Sequence, residues 1–220
     1  MLKAYYQTSK ILTSGKERRG RKRLSHSFLK QFLQIYNIYF GGPDAYIRRI
    51  YGDALLMSSI YLTSANSNSG NPYHCVSGEG NVWNNSISRS YRDAPFMNYF
   101  FSGTDNGIVI GRDDIEVTSI DHKLGNQIEH GFTTNTMSYL GMFFDTEIVV
   151  ANPIATYNFE RLFQNNSGLD IVVKEIGVYC RTYTNTDAAY DFCIVRDVIA
   201  PVTVSTGEYF KVKYTFQVSV

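Results

Sequence analysis

The chain has four histidines, His26, His74, His122 and His130, and they are its first candidates for chemistry. His122 and His130 lie eight apart, each beside a carboxylate, Asp121 and Glu129. Imidazole nitrogen and carboxylate oxygen are the ligands a zinc ion takes, so an Asp-His plus Glu-His set is conceivable. No HxH or HExxH spacing supports it. Asp105, Asp113, Asp114 and Glu116 could offer oxygens to calcium, but their spacing is not that of an EF-hand loop, and an acidic turn in solvent is the simpler expectation. A GxSxG elbow, a P-loop and a dinucleotide fingerprint are all absent from the sequence. No carboxylate pair is placed for glycoside hydrolysis, although a Tyr-rich β-protein could bind glycans. The expectation is a protein that is not an enzyme, with no catalytic residues, metal or cofactor.

Two other features point to binding. Lys16, Arg18, Arg19, Arg21, Lys22 and Arg23 form a cationic run interrupted by Glu17 and Gly20. Clustered cations neutralise phosphates and release counterions, so the run could contact nucleic acid. No aromatic residues interleave with it, which favours a solvated or partner-bound extension that steers assembly onto an acidic surface. The second feature is the Asn/Ser/Gly-rich stretch at 65–90, which carries Trp83. It is too long for an ordinary connector and suits a loop that covers a neighbour or forms a binding surface. Trp83 could anchor an interface or simply pack against its own body.

Charge is unevenly distributed. The net charge is +1, yet residues 1–49 hold eleven Lys and Arg against two acids, a net +9, and residues 50–220 are at −8. A basic segment joined to an acidic body favours head-to-tail contact between copies, or attraction to another acidic partner. Aromatics make up 15% of residues, with 17 Tyr, against 19% charged, a balance that suits an all-β protein with large buried contacts. Cys75, Cys180 and Cys193 form no CxxC, and reduced buried thiols are expected, though Cys180 and Cys193 could face each other across strands. The start lacks an apolar signal region, and no stretch approaches the roughly 20 apolar residues of a membrane span. The expectation is a soluble protein made in a cytoplasm.

The elements that would position these residues are mostly strands. From Tyr209, Phe210, Val212, Tyr214, Phe216 and Val218 share one parity, and Lys211, Lys213, Thr215 and Gln217 the other. That period of two describes a strand with one buried and one wet face. Turn clusters at Asn165-Asn166-Ser167-Gly168 and Ser205-Thr206-Gly207-Glu208 separate Val-, Ile-, Tyr- and Phe-rich runs, as in consecutive antiparallel strands, with Asn166 and Gly168 suited to left-handed backbone. Gly107–Gly111 reads as a short buried strand, residues 112–114 as a turn, and 43–64, 137–150 and 155–163 as further strand regions. About eight strands result, the count of a two-sheet sandwich. Residues 24–40 carry apolar residues at three- and four-residue steps, including Phe28 and Phe32, and predict one helix stopped by Gly41-Gly42-Pro43. The fold expected is mainly β, an antiparallel, jelly-roll-like β-sandwich at 43–220 preceded by a basic arm and apolar helix at 1–42.

At residues 107–131 and 158–204 the sequence resembles a recurrent type of tailed-bacteriophage structural protein, also met in related viruses. The specific agreements are Asn165-Asn166-Ser167-Gly168, Glu175-Ile176-Gly177 and Arg196-Asp197-Val198. Members carry a basic or polar lead, a short apolar helix, a Gly-bounded apolar strand, a segment ending His-Gly, and Pro-Val-Thr-Val before the last strand. Gly107–Gly111, Lys123–Gly131, Asn158–Tyr179 and Arg196–Val218 are the counterparts, about half the chain. The match departs at Arg112-Asp113-Asp114, where relatives often have a Gly/Thr/Pro-rich turn. The resemblance implies a virion component. Within it, Glu175 and Arg196 could pair across strands, and Asp197 could accept backbone N–H bonds at a turn. The role expected is lateral assembly into a ring or shell, with the arm and helix reaching a neighbour. The partners would be copies of itself and portal, tail or capsid proteins, with DNA contact through the arm and no membrane. The head–tail connector or tail is the favoured place; the alternatives are capsid decoration or vertex, or a receptor-binding module using the 65–90 loop.

Overall fold

The computed structural model describes residues 2–25, 28–29, 32–33, 45–48, 54–59, 76–78, 104, 106–145, 147–151, 153–183 and 189–219. In chain order its strands are β1 (Leu2–Ile11), β2 (Glu17–Arg19), β3 (Arg23–Leu24), β4 (Ala45–Arg48), β5 (Ala54–Ser59), β6 (Val76–Gly78), β7 (Gly107–Gly111), β8 (Ser138–Phe144) and β9 (Val149–Ala151). They continue with β10 (Ile154–Gln164), β11 (Ile171–Tyr183), β12 (Ala189–Val204) and β13 (Tyr209–Ser219). The protein is mainly β. A larger antiparallel sheet runs β2-β1-β13-β10-β8, with β3 beside β1 and β9 beside β10, and a smaller one runs β12-β11-β7. The two share one hydrophobic core, the arrangement of a β-sandwich. Strands β4, β5 and β6 form a third, separate antiparallel sheet.

Alternation sets the core. Phe210, Val212 and Tyr214 of β13 point inward and pair with Phe163, Arg161 and Phe159 of β10, so both strands contribute one face. The smaller sheet answers with Ile176 and Val178 of β11 and Ile108 and Ile110 of β7, all fully buried. A register shift between Val173 and Glu175 lets Ile171 and Val173 share the inner face with Ile176 and Val178, which an unbroken alternation would forbid. Arg161 lies in this core and donates to the carbonyls of Asn106 (2.7 Å) and Ile108 (3.0 Å) from Nη1, and to Leu140 from Nε (2.8 Å). A buried guanidinium is tolerated here because backbone oxygens replace its water.

Three expectations are corrected. The basic arm is not an extension outside the β-body: β1 sits inside the larger sheet, paired residue by residue with β13 from Leu2↔Val218 to Ile11↔Tyr209. Its inward residues Ala4 and Tyr6 are buried, so a polar-looking segment still has a strand's period of two. The helix over 24–40 is not seen as expected. Leu24 belongs to β3, Phe28 bridges to Val195, the Leu29 N–H donates to Ile194 O (3.0 Å), and among the described residues of this segment Phe32 and Leu33 alone have helical geometry. Sheet edges take the backbone bonds a helix would use, and the apolar stripe finds the core directly: Phe28 meets Phe32 at 4.5 Å and Phe216 at 5.6 Å between ring centres. The rest of 24–40, the 42/43 boundary, Cys75 and Trp83 lie outside the described residues; of 65–90 only β6 is described.

The third correction concerns the two turn clusters. They are not hairpins within a sheet. The first carries the chain from β10 in the larger sheet to β11 in the smaller, and the second returns it from β12 to β13. Gly168 (φ 82°) and Gly207 (φ 83°) supply the left-handed backbone, and Asn166 does not. Fully buried Asn165 staples the arches together. Its N–H donates to Glu208 O (3.0 Å), its O accepts from the Gly207 N–H (2.8 Å), and its Nδ2 donates to Leu169 O and Val204 O, both at 2.7 Å. Lys10 locks the same end from β1, reaching Glu208 (2.6 Å) and Thr203 O (2.9 Å). Asn165→Ala would leave buried carbonyls without donors and is expected to cost about 3 kcal/mol, read as a lower urea midpoint at unchanged m-value.

Candidate functional site

Two of the residues that carried the family resemblance, Glu175 and Arg196, meet at one place. After β7 the chain forms a strap, residues 112–136, over the outer face of the smaller sheet. It is tied at its start by Arg112 N–H to Asn126 O (2.8 Å) and by Ile128 N–H to Ile110 O (2.9 Å). Beneath it lies Glu175, fully buried. Its Oε1 accepts from the N–H groups of Asn126 (2.8 Å) and Asp113 (3.2 Å), and its Oε2 from Gly125 N–H (3.0 Å) and Arg196 Nε (3.0 Å). Arg196 is also almost fully buried, and donates from Nη1 to Asp121 (2.7 Å) and from Nη2 to Ile115 O (3.2 Å). The expected Glu175–Arg196 pairing is therefore present, as the centre of a larger latch.

Glycine makes the latch close enough. A Cβ at Gly111 would lie 2.3 Å from Glu175 Oε1, and one at Gly177 would lie 2.6 Å from Leu124 Cδ1 and 2.9 Å from Val195 O. Leu124 is buried over Gly177, and its N–H donates to the Tyr179 hydroxyl (2.7 Å). Burial would lower the charge on Arg196, but hydrogen bonds to Asp121 and Glu175 raise its pKa instead. Burial likewise pushes Asp121 up, and its bonds from Thr118 and Arg196 outweigh that and hold it below the usual carboxylate range.

The other candidates are placed as follows. Asp121 is committed to Arg196 and Thr118, and His130 Nδ1 accepts the Tyr139 N–H (3.0 Å), so Asp121 and His130 serve to hold the strap. Asp113 Oδ1 accepts the N–H groups of Asp114 (2.8 Å) and Ile115 (3.2 Å), and Asp114 pairs with Lys174 (2.7 Å). Asp105 lies outside the described residues. Among the described residues no three His, Cys, Asp or Glu converge as a metal site. Asp197 is not at a turn, as expected, but mid-strand in β12 and inward. It accepts from Ser25 Oγ (2.8 Å) and from the Tyr214 hydroxyl (3.1 Å). Cys180 pairs in register with Phe192 and Cys193 with Tyr179, neither forms a disulfide, and burial pushes both thiols upward in pKa.

Among the described residues, the outer face of the larger sheet is a candidate contact surface. Antiparallel partners point to the same side, so registers define its rows. Arg19, Ser9 and Lys211 form one row across β2, β1 and β13; Gln7, Lys213, Glu160 and Phe143 form the next across β1, β13, β10 and β8. Lys22 lies over the Tyr5 ring (4.7 Å), on the same face. Glu17 pairs with both Lys211 (2.9 Å) and Arg19 (2.8 Å). Of the cationic run, Arg19 and Lys22 join this face. Arg18 and Arg23 stand opposite Lys10 and Tyr6, on the other side; Arg21 is exposed between β2 and β3, and Lys16 closes the turn after β1. Phe28 and Phe32 pack on the chain's own core. Sequence reasoning missed Lys3, Tyr5, Lys211 and Lys213 as members of the face. The Lys211/Lys213 parity was visible, but its neighbours were not.

Comparison with protein-family models, with curated proteins and with solved structures found no match. The fold and latch define the class alone: a two-sheet antiparallel β-sandwich whose smaller sheet is sealed by a strap.

Arg196→Met is expected to destabilise by about 3–5 kcal/mol, because it strands the Glu175 charge in the interior. Replacing Glu175 and Arg196 together with Leu and Met should cost less than the two single changes summed, measured as a double-mutant cycle in urea. Acidification tests the surface. Hydrogen bonds from Arg19 and then Lys211 hold Glu17 at about 2, below its ordinary 4.5. The stability it contributes is complete above the unfolded value and is lost as pH falls through the folded one. Unfolding free energy should therefore fall between about pH 4.5 and 2, and Glu17→Gln should flatten part of that slope.

Proposed function

We propose that this chain is a non-enzymatic structural component of a phage or related virus particle, assembling laterally with copies of itself into a ring or shell. The observation that carries the reading is the latch. Gly111, Gly125, Glu175, Gly177 and Arg196 come from all four matching segments of the resemblance and meet, with Asp121, within one hydrogen-bonded unit. Motif residues that build a rigid body, with their charges directed inward, suit a module reused for assembly. Within that reading the head–tail connector or tail is favoured, with portal, tail or capsid proteins as further neighbours.

Assembly would use the faces of the sandwich rather than a swapped arm, since β1 is already paired on both sides by β13 and by β2 and β3. Cations at the β2–β3 edge also discourage strand addition there. Imaging intact particles by electron cryomicroscopy tests the proposal. Density for this chain in a ring at the neck or tail is expected. Density over the icosahedral shell would move it to capsid decoration, and its absence from particles would overturn the structural reading and favour a free receptor-binding module.

A further inference from the structure

We propose that the outer face of the larger sheet binds the phosphodiester backbone of double-stranded DNA without regard to base sequence, through Lys3, Arg19, Lys22, Lys211 and Lys213. The cationic run by itself is not this site. Only Arg19 and Lys22 of that run face the right way, and the other cations come from β1 and from β13, some 190 residues later in the chain.

Three observations support a polyanion. The cations occupy successive rows of the face: Arg19 and Lys211 stand on either side of Ser9, about 9.6 Å apart across the sheet, Lys213 follows about 6.8 Å along β13, and Lys22 over Tyr5 and then Lys3 continue down β1. They crowd one another: burial, then the nearby Lys213, pushes the Lys22 ammonium below its ordinary pKa, a repulsion that a bound anion would relieve. Of the three acids on the face, Glu160 and Asp145 lie towards β10 and β8, and Glu17 is held between Lys211 and Arg19 and fixes both in place, so one carboxylate organises two cations.

An acidic protein surface is the less favoured partner. Protein interfaces concentrate binding on aromatic or apolar anchors set in central pockets. Here Tyr5 is already covered by Lys22, the aliphatic Ile11 and Leu162 are half-buried towards the arch end of the sheet, and the exposed Phe143 lies on β8 at the edge opposite β2, two strands beyond Lys213. Long Lys side chains on a sheet face suit a partner recognised by its charge. The inference stands on this geometry and not on the particle assignment, so either can fail alone.

The test is fluorescence anisotropy of the full chain with a short mixed-sequence DNA duplex, titrated at several salt concentrations. With four to five phosphates engaged, log K should fall against log salt with a slope of about −4, a loss of about 10²-fold between roughly 50 and 200 mM. Lys211→Gln with Lys213→Gln should weaken binding at least about tenfold and reduce the slope by about two. Arg18→Gln with Arg23→Gln, on the opposite face, should change the slope by much less. Lys213→Gln alone leaves the Glu17–Lys211 pair in place, and its slope should fall by about one, with thermal melting as the check on folding. Absence of binding at about 50 mM salt, or equal losses from the two double variants, would overturn the proposal. So would tighter binding of poly-L-glutamate than of the duplex at matched charge, which would assign the face to an acidic protein.

Discussion

A carboxylate with no exposure must find, inside the protein, everything that water would have given it. Glu175 is such a group, and most of the architecture around the smaller sheet follows from it. One cation, Arg196, comes from the neighbouring strand, and three backbone N–H groups come from the strap. The strap must therefore cross β11 at this height, and Gly111 and Gly177 let it come that close. Once down, it seals the outer face of the smaller sheet, which explains why all five residues of β7 are buried although the strand lies at a sheet edge. A charge pair of this kind need not raise stability over an apolar replacement, but it admits very few arrangements of the backbone around it.

The opposite constraint operates at the arches. Asn165 has no charge to neutralise; it has donors and acceptors that match the carbonyls and amides of two crossing turns. A pair of antiparallel sheets joined by two adjacent crossings must keep both crossings in step, or one sheet would slip over the other. Asn165, with Lys10 and Glu208 beside it, holds that register. The latch thus fixes the strap to the smaller sheet, and the arches fix the two sheets to each other. Arg161 adds a third tie, from the larger sheet to the start of β7.

The outer face of the larger sheet depends on both. Because β13 lies between β1 and β10, its wet parity, Lys211 and Lys213, is flanked by the first strand of the chain and by β2 beyond it. Basic residues from the two ends of the chain consequently share a surface. The inward parity of the same strands builds the aromatic core, where Phe159 stacks on Tyr214 at 5.8 Å and meets Phe216 edge-on at 5.1 Å. One alternation supplies both the core and the face that carries the charge.

What the sequence determined by itself was local: the parity of β13, the turn chemistry of Gly168 and Gly207, the buried character of β7, and the capacity of Glu175 and Arg196 to pair. Each depends on a period of two, on a backbone angle, or on complementary charge, and these can be read within a few residues or guessed between two. Sheet partners were decided only in three dimensions. The hydrogen bonds of a strand are the same whichever strand lies beside it, so nothing in Asn165–Gly168 distinguishes a hairpin from a crossing between sheets. For the same reason β1 looked like an arm, since its partner lies at the far end of the chain. Leu24, Phe28 and Leu29 show the stronger form of the limit, because an apolar stripe records the need for burial and leaves the backbone geometry to whichever surface meets it first. Here that surface was the edge of a sheet.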